Sequence, residues 1–390
     1  METSDKKYDL LLKGGHVIDP ANNVDGPMDV AITEKKIASV ARDIPSSRAE
    51  KVVDVTGRYV TPGLIDMHVH VYGYDGSMYP DEHALRDGVT TIVDAGGAGW
   101  KIFEEFKEKI IDRFQTRILA LLNIVGAGML GEVEQDVSEM EPAPAAEMIK
   151  RYPDILVGVK TAHFAKPGWA AVDRAVEAGT LTDTPVMIDF RPLPTRSYED
   201  LLLKHMRPGD IHTHMYGQHI PLLDEGRRVN DYAREARSRG VIFDVGHGVG
   251  SFWFRVAVPA LEQEFGPDSI STDLHRRSVM LPNATLTQTM SKFLNMGMPL
   301  QEIILRTTVT PAQEIRRPEL GTLTVGACAD VAVLEIPKGK FGFVDCGHAK
   351  LLGDRRIQGV LTVREGKIVW DLNGLSWPEW QDAGEYIVIP

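Results

Sequence analysis

Cysteine is nearly absent from this 390-residue chain: only Cys328 and Cys346 occur. Two cysteines support neither a disulfide framework nor a thiolate zinc site, and a reducing cytoplasm is the simplest home. Long apolar runs are missing as well. The longest are strand-sized, such as 155–159, so no transmembrane helix is expected. The opening Met-Glu-Thr-Ser-Asp-Lys-Lys has no apolar signal core behind it, which agrees with a cytoplasmic protein. Positive charge is scarce, with 43 Lys and Arg against 55 Asp and Glu and a formal net charge of −12. Nucleic acid and anionic membrane surfaces call for basic patches, so neither is an expected partner, and a small-molecule substrate is. No internal repeat or low-complexity tract is visible, and homo-oligomerisation is left open.

What is present is an ordinary globular balance, 43% hydrophobic and 25% charged residues. The ends alternate short apolar runs with turn signals, for instance 9–13, Gly14-Gly15 and 16–18, then again 359–364, Gly366-Lys367 and 368–370. Each end is too short for a comfortable sheet domain alone. Residues 1–60 and 318–390 are therefore expected to meet in space as one composite β domain. The middle, 61–317, is different. Eight strand-sized runs recur at 63–68, 89–94, 117–124, 155–160, 185–189, 210–214, 241–245 and 269–273. Amphipathic helical stretches such as 102–114, 231–239 and 284–295 lie between them. The pattern is α/β, with the length and alternation of a (β/α)8 TIM barrel.

In such a barrel, polar residues that end apolar strands face the active-site mouth. The first strand ends in His68-Val-His70, the fourth in Lys160, the fifth in Asp189, the sixth in His214 and the eighth in Asp273. Two histidines spaced by two share one face of a strand and can grip one divalent metal. Asp273 would sit beside the first strand on barrel closure, completing that metal's shell and accepting a proton from its water; a helix N-cap is the competing reading. Lys160 ends a fully apolar run. A buried amine loses proton affinity and can take up carbon dioxide as a carbamate that bridges two metals; a snorkelling surface lysine is the alternative.

Several stretches together resemble the amidohydrolase superfamily, and most of all its dihydroorotase-like amidohydrolase/deacetylase branch. They are Thr-Pro-Gly-Leu-Ile-Asp-Met-His-Val-His (61–70), Gly-Asp-Ile-His-Thr-His-Met-Tyr-Gly (209–217), Phe-Asp-Val-Gly-His-Gly (243–248), Ile-Ser-Thr-Asp-Leu-His (270–275) and the closing β segment 321–334. The resemblance implies one metal, usually zinc, on His68, His70 and Asp273. It implies a second on His214 and the fifth-strand residue, with carboxylated Lys160 as the bridge and Asp273 as the proton shuttle. His247 matches a position lining the substrate pocket. There is one departure: that branch ends its fifth strand in histidine, whereas this chain has Pro-Val-Met-Ile-Asp (185–189). Asp189 is still a legitimate zinc ligand, but it makes the two-metal cluster close to neutral.

Tyr72 and His163 follow barrel strands and are expected to line the substrate pocket. Asp66 is expected to hold structure by hydrogen bonds, and His212 to share the inward face with His214. The expected chemistry is metal-dependent hydrolysis of an amide or acyl ester, such as an N-acyl amino acid or acylated hydroxy acid. Cyclic amide hydrolysis, as in dihydroorotase or hydantoinase, is the alternative within the class. A non-catalytic binding protein on the same scaffold is the alternative outside it.

Overall fold

The computed structural model describes residues 7–385. Strands from both ends of the chain make one eight-stranded sheet. Val331–Glu335 pairs antiparallel with Tyr59–Pro62, and Tyr59–Pro62 pairs parallel with Tyr8–Asp19. Alternate side chains of these strands, among them Leu10, Leu12, Val30, Val60, Val331, Val333 and Val363, form a separate apolar core. Period-two alternation in the sequence therefore becomes one buried face.

The middle of the chain winds seven parallel strands in sequential order: Leu64–Val69, Val89–Gly99, Arg117–Asn123, Leu156–Thr161, Val186–Ile188, Ile211–His212 and Ile242–Phe243. The eighth expected strand is not a continuous one. Residues 269–274 make only single bridges, Ser269 to Asp244 on one side and Leu274 to Val69 on the other. They close the ring through His70 N to Leu274 O at 2.9 Å and Gly248 N to Thr272 O at 2.8 Å. The later strands are short for a local reason. His214 and Asp273 have φ of 64° and 48°, a left-handed conformation that leaves the strand where the functional side chains stand. The helical stretches appear as Asp231–Ser238, Leu286–Asn295 and, around 103–111, a short α segment running into a π turn. No helix among the described residues is long and apolar enough to cross a membrane.

Two carboxylates tie these parts together. Asp66 is buried in the first barrel strand. It accepts hydrogen bonds from Thr272 Oγ1 at 2.5 Å, Thr272 N at 3.1 Å and His68 N at 3.4 Å. Asp330, just before the strand Val331–Glu335, pairs with Arg117 of the third barrel strand, and accepts from Glu365 N at 2.8 Å and Arg364 Nη1 at 3.3 Å.

Asp330→Ala would leave two largely buried guanidinium groups with only the half-exposed Glu365 between them, so stability should fall by about 2 kcal/mol in urea unfolding. A loss of well under about 1 kcal/mol would show that the link between sheet and barrel does not depend on it. Asp66 gives a pH signature. Burial pushes its carboxyl up to about 8, against hydrogen bonds that pull it down. An unfolded Asp ionises near pH ~4, so between about 4 and 8 the native chain holds a proton that the unfolded chain has lost. The stabilisation present below pH ~4 is therefore lost as pH rises through about 8. Asp66→Asn does not titrate. Its Tm relative to the natural protein should rise between pH 5 and 8, and a pH-independent difference would contradict the assignment.

Candidate active site

The strand ends converge. His70 Nε2 lies 3.0 Å and His68 Nε2 3.7 Å from Asp273 Oδ1, while Lys160 Nζ reaches His68 Nε2 at 3.4 Å. Donor atoms of His68, His70 and Asp273 lie within 4.8 Å of one another. On the other side of the mouth, Asp189 Oδ2 stands 3.7 Å from both His214 Nε2 and His163 Nε2.

The hydrogen bonds behind the imidazoles decide what the front atoms offer. His214 Nδ1 donates to Gly246 O at 2.6 Å. His68 Nδ1 meets Thr213 Oγ1 at 2.9 Å, and that hydroxyl donates to Asp244 Oδ2 at 2.7 Å, so His68 must be the donor. Asp244 also accepts from Ser269 and Ser271. For His68 and His214 the Nδ1 proton is thus committed and Nε2 presents a lone pair to the centre, whereas His70 Nδ1 is buried without a partner among the described residues. Lone pairs and a carboxylate facing one another in a buried space call for a cation, and nitrogen with oxygen donors suits zinc. The residues present therefore fit a metal centre.

Burial sets the charges. It pushes the Lys160 ammonium down, against the attraction of Asp189 and Asp273, and so favours the free amine. It also pushes His68 well below its ordinary value, with Lys160 adding to the effect. Burial alone would raise Asp189 and Asp273. For Asp189 the fields of His214, His163 and Lys160 outweigh it, and for Asp273 the His70 hydrogen bond does, so both carboxyls stay below their usual range. The Glu134 hydrogen bond, 3.0 Å to Nδ1, raises His163 to about 9.

A cavity of about 470 Å³ adjoins Asp189, His214 and Asp273, and is walled by Tyr74, His163, Arg191, His219 and His275 among others. A second, of about 970 Å³, shares Tyr74 and His163 and includes Tyr72, whose ring stacks on Phe106 at 4.8 Å. Two expectations need correction. His247 lines neither cavity: its ring is fully buried, stacked on Phe252 and turned toward Lys292. Its neighbours Gly246 and Gly248 have positive φ, so the chain twists there and the side chain points into the core. His212 does not share a face with His214. The strand ends at His212, His214 is left-handed, and His212 packs between Tyr198 and Phe243. Arg196 is spent on the carbonyls of Phe164 and Arg191.

Sequence reasoning passed over Thr213, Asp244, Glu134 and His219. Asp244 and Thr213 sit inside the 243–248 and 209–217 motifs, so an alternating polar residue beside each ligand was the available signal. Glu134 had none, since it reaches His163 from the short 3-10 helix Gly131–Gln135, 29 positions away in sequence.

The comparisons with known proteins agree with this geometry. A deacetylase of Enterococcus faecalis is 32% identical over 375 residues, covering 93% of this chain and 99% of that protein. A deacetylase of Agrobacterium fabrum is 32% identical over 77% of this chain and 76% of its own length. Among solved structures, an adenine deaminase superimposes with TM-score 0.87 at 31% identity, covering 93% of this chain and 99% of its own. A dihydroorotase does so with TM-score 0.84 at 27% identity and the same coverage. No family model matches the sequence. A relative 32% identical along essentially its whole length, together with strand ends carrying two histidines, a lysine, a third histidine and an aspartate, places the chain: it belongs to the dihydroorotase-like branch of the amidohydrolase superfamily and is a hydrolase.

Proposed function

We propose that the chain is a zinc-dependent deacylase of a small, anionic substrate, an N-acyl amino acid or an acylated hydroxy acid, working in the cytoplasm. The observation that carries this reading is the meeting of His68, His70 and Asp273 beside a cavity that His163 and Arg191 help to line. His68, His70 and Asp273 would hold one metal and His214 and Asp189 would hold a second, with Lys160, carboxylated on its amine by carbon dioxide, as a further ligand. A divalent cation there supplies Lewis-acid polarisation of the acyl carbonyl. The chain's own groups do the rest. Asp273 takes the proton of the attacking water and returns it to the leaving nitrogen or oxygen. His163, held cationic by Glu134, joins Arg191 in receiving a substrate carboxylate. Tyr74, 5.0 Å from the His70 ring, closes the side of the cavity. The dihydroorotase likeness over the whole fold favours cyclic ureides as the second substrate class to test.

The test is a hydrolysis screen over N-acetyl amino acids, O-acetyl hydroxy acids and cyclic ureides, with metal counted per chain. His68→Ala and Lys160→Ala should each lose metal and at least about 100-fold in kcat/KM while remaining folded. Full activity in a metal-depleted His68→Ala protein would end the reading.

Asp189 carries the second prediction. With two divalent cations, a carbamate, Asp273 and Asp189, the cluster is less positive than one with histidine in the fifth strand. Less positive charge disfavours deprotonation of the attacking water, so the acid limb of the pH–rate profile lies high. Asp189→His should move that limb to lower pH and keep the metal count. A single metal per chain, unchanged in Asp189→Ala with activity retained, would make Asp189 a bystander.

A further inference from the structure

Residues 246–248, Gly-His-Gly, cross behind the candidate ligands as a backbone arch. Gly246 and Gly248 have φ of 47° and 52°. The Gly246 carbonyl takes the Nδ1 proton of His214 at 2.6 Å. A Cβ on Gly246 would lie 2.3 Å from Thr213 Oγ1, and one on Gly248 would lie 2.2 Å from Asp273 Oδ2. Only glycine lets the arch rest on both sides of the site. The arch is hydrogen-bonded to one ligand candidate and in contact with the group that moves the proton.

Its midpoint is anchored from the other side. His247 is wholly buried, stacks on Phe252 with ring centroids 4.6 Å apart, and meets Gly248 O through Nδ1 at 3.0 Å. Its Nε2 receives a hydrogen bond from Lys292 Nζ at 2.6 Å. Lys292 lies in Leu286–Asn295, a helix with eight of its ten residues buried, and is itself 1% exposed. A lysine so placed costs desolvation that a methionine of similar length would avoid. Burial holds its ammonium down at about 7 and holds His247 well below the usual histidine value. Charged or neutral, the nitrogen still donates to the Nε2 lone pair, so the bond persists on both sides of neutrality.

We propose that Lys292 is a positioning residue: through His247 it fixes the 246–248 arch, and through the arch it orients His214 and Asp273. The kinetic half of this inference rests on the hydrolase reading above; the metal-binding half does not.

The experiment uses full-length protein loaded with cobalt(II) in place of zinc, comparing the natural chain with Lys292→Met, Lys292→Gln, His247→Phe and the Lys292→Met/His247→Phe double variant. Circular dichroism and Tm report the fold. The visible cobalt spectrum and the rate of cobalt loss to a chelator report the site without any substrate. Lys292→Met should keep a native fold, change the spectrum and lose cobalt about 10- to 100-fold faster. With a substrate in hand, kcat should fall by a similar factor and KM should stay within about threefold. Lys292→Gln keeps a donor and should fall between Met and the natural protein. The double variant should be no worse than the worse single one, because the pair acts as a unit. An unchanged spectrum and cobalt loss rate in folded Lys292→Met, whatever happens to Tm, or a Lys292→Gln no better than Lys292→Met, would overturn the proposal and leave Lys292 a packing residue. No hydrolysis by any form, with the cobalt changes present, would sink the deacylase reading and leave the positioning role standing.

Discussion

The hydrogen bonds from Thr272 to Asp66 are the constraint on which the site depends. They join the first barrel strand to the segment that closes the ring, which forms single bridges rather than a ladder and is otherwise held by backbone bonds such as His70 N to Leu274 O and by Ser269 and Ser271 on Asp244. On its other side Asp273 is flanked by Leu274, whose backbone bonds to His68 and His70, so the two junctions together set its relation to that pair. With them, a carboxylate about two hundred positions away in sequence comes within 3.0 Å of His70 Nε2. A neutral buried carboxyl suits this role, because it bonds without bringing another negative charge to a site that already holds Asp189, Asp244 and Asp273.

The front of the site is arranged from behind. Thr213 and Asp244 settle which nitrogen of His68 carries the proton, and Gly246 does so for His214. Asp244 takes three hydroxyl hydrogen bonds, which offset much of what its burial costs. The left-handed residues His214 and Asp273 store strain at the same points. Pre-set tautomers and pre-bent backbone mean that little reorganisation remains when a cation arrives.

Charge is balanced more tightly than the net −12 suggests. At the mouth Arg191 and His163, raised by its Glu134 hydrogen bond, stand beside Asp189 and Asp273, while burial pushes His219 and His275 down, so positive charge is confined to one wall of the cavity. Net charge governs solubility and long-range steering, while the local field governs which substrate group is received. In the proposed reading, an anionic substrate group would meet the His163 and Arg191 wall.

The sequence alone determined the parts of this protein that repeat at fixed spacing. Apolar runs about every 29 residues marked the barrel strands, and polar residues at their ends marked His68, His70, Lys160, Asp189, His214 and Asp273. Such features are legible because strand period and barrel polarity are local rules. Tertiary structure decided what local rules cannot reach. His247 and His212 read as site residues from their positions, yet positive φ in the adjoining loops turned both into the core. Glu134, Asp244 and Lys292 meet His163, Thr213 and His247 through contacts spanning 29, 31 and 45 positions, which no pattern along the chain encodes. The direction of a side chain at the end of a strand depends on the backbone dihedrals of the turn that follows, and those are fixed by the packing of segments distant in sequence.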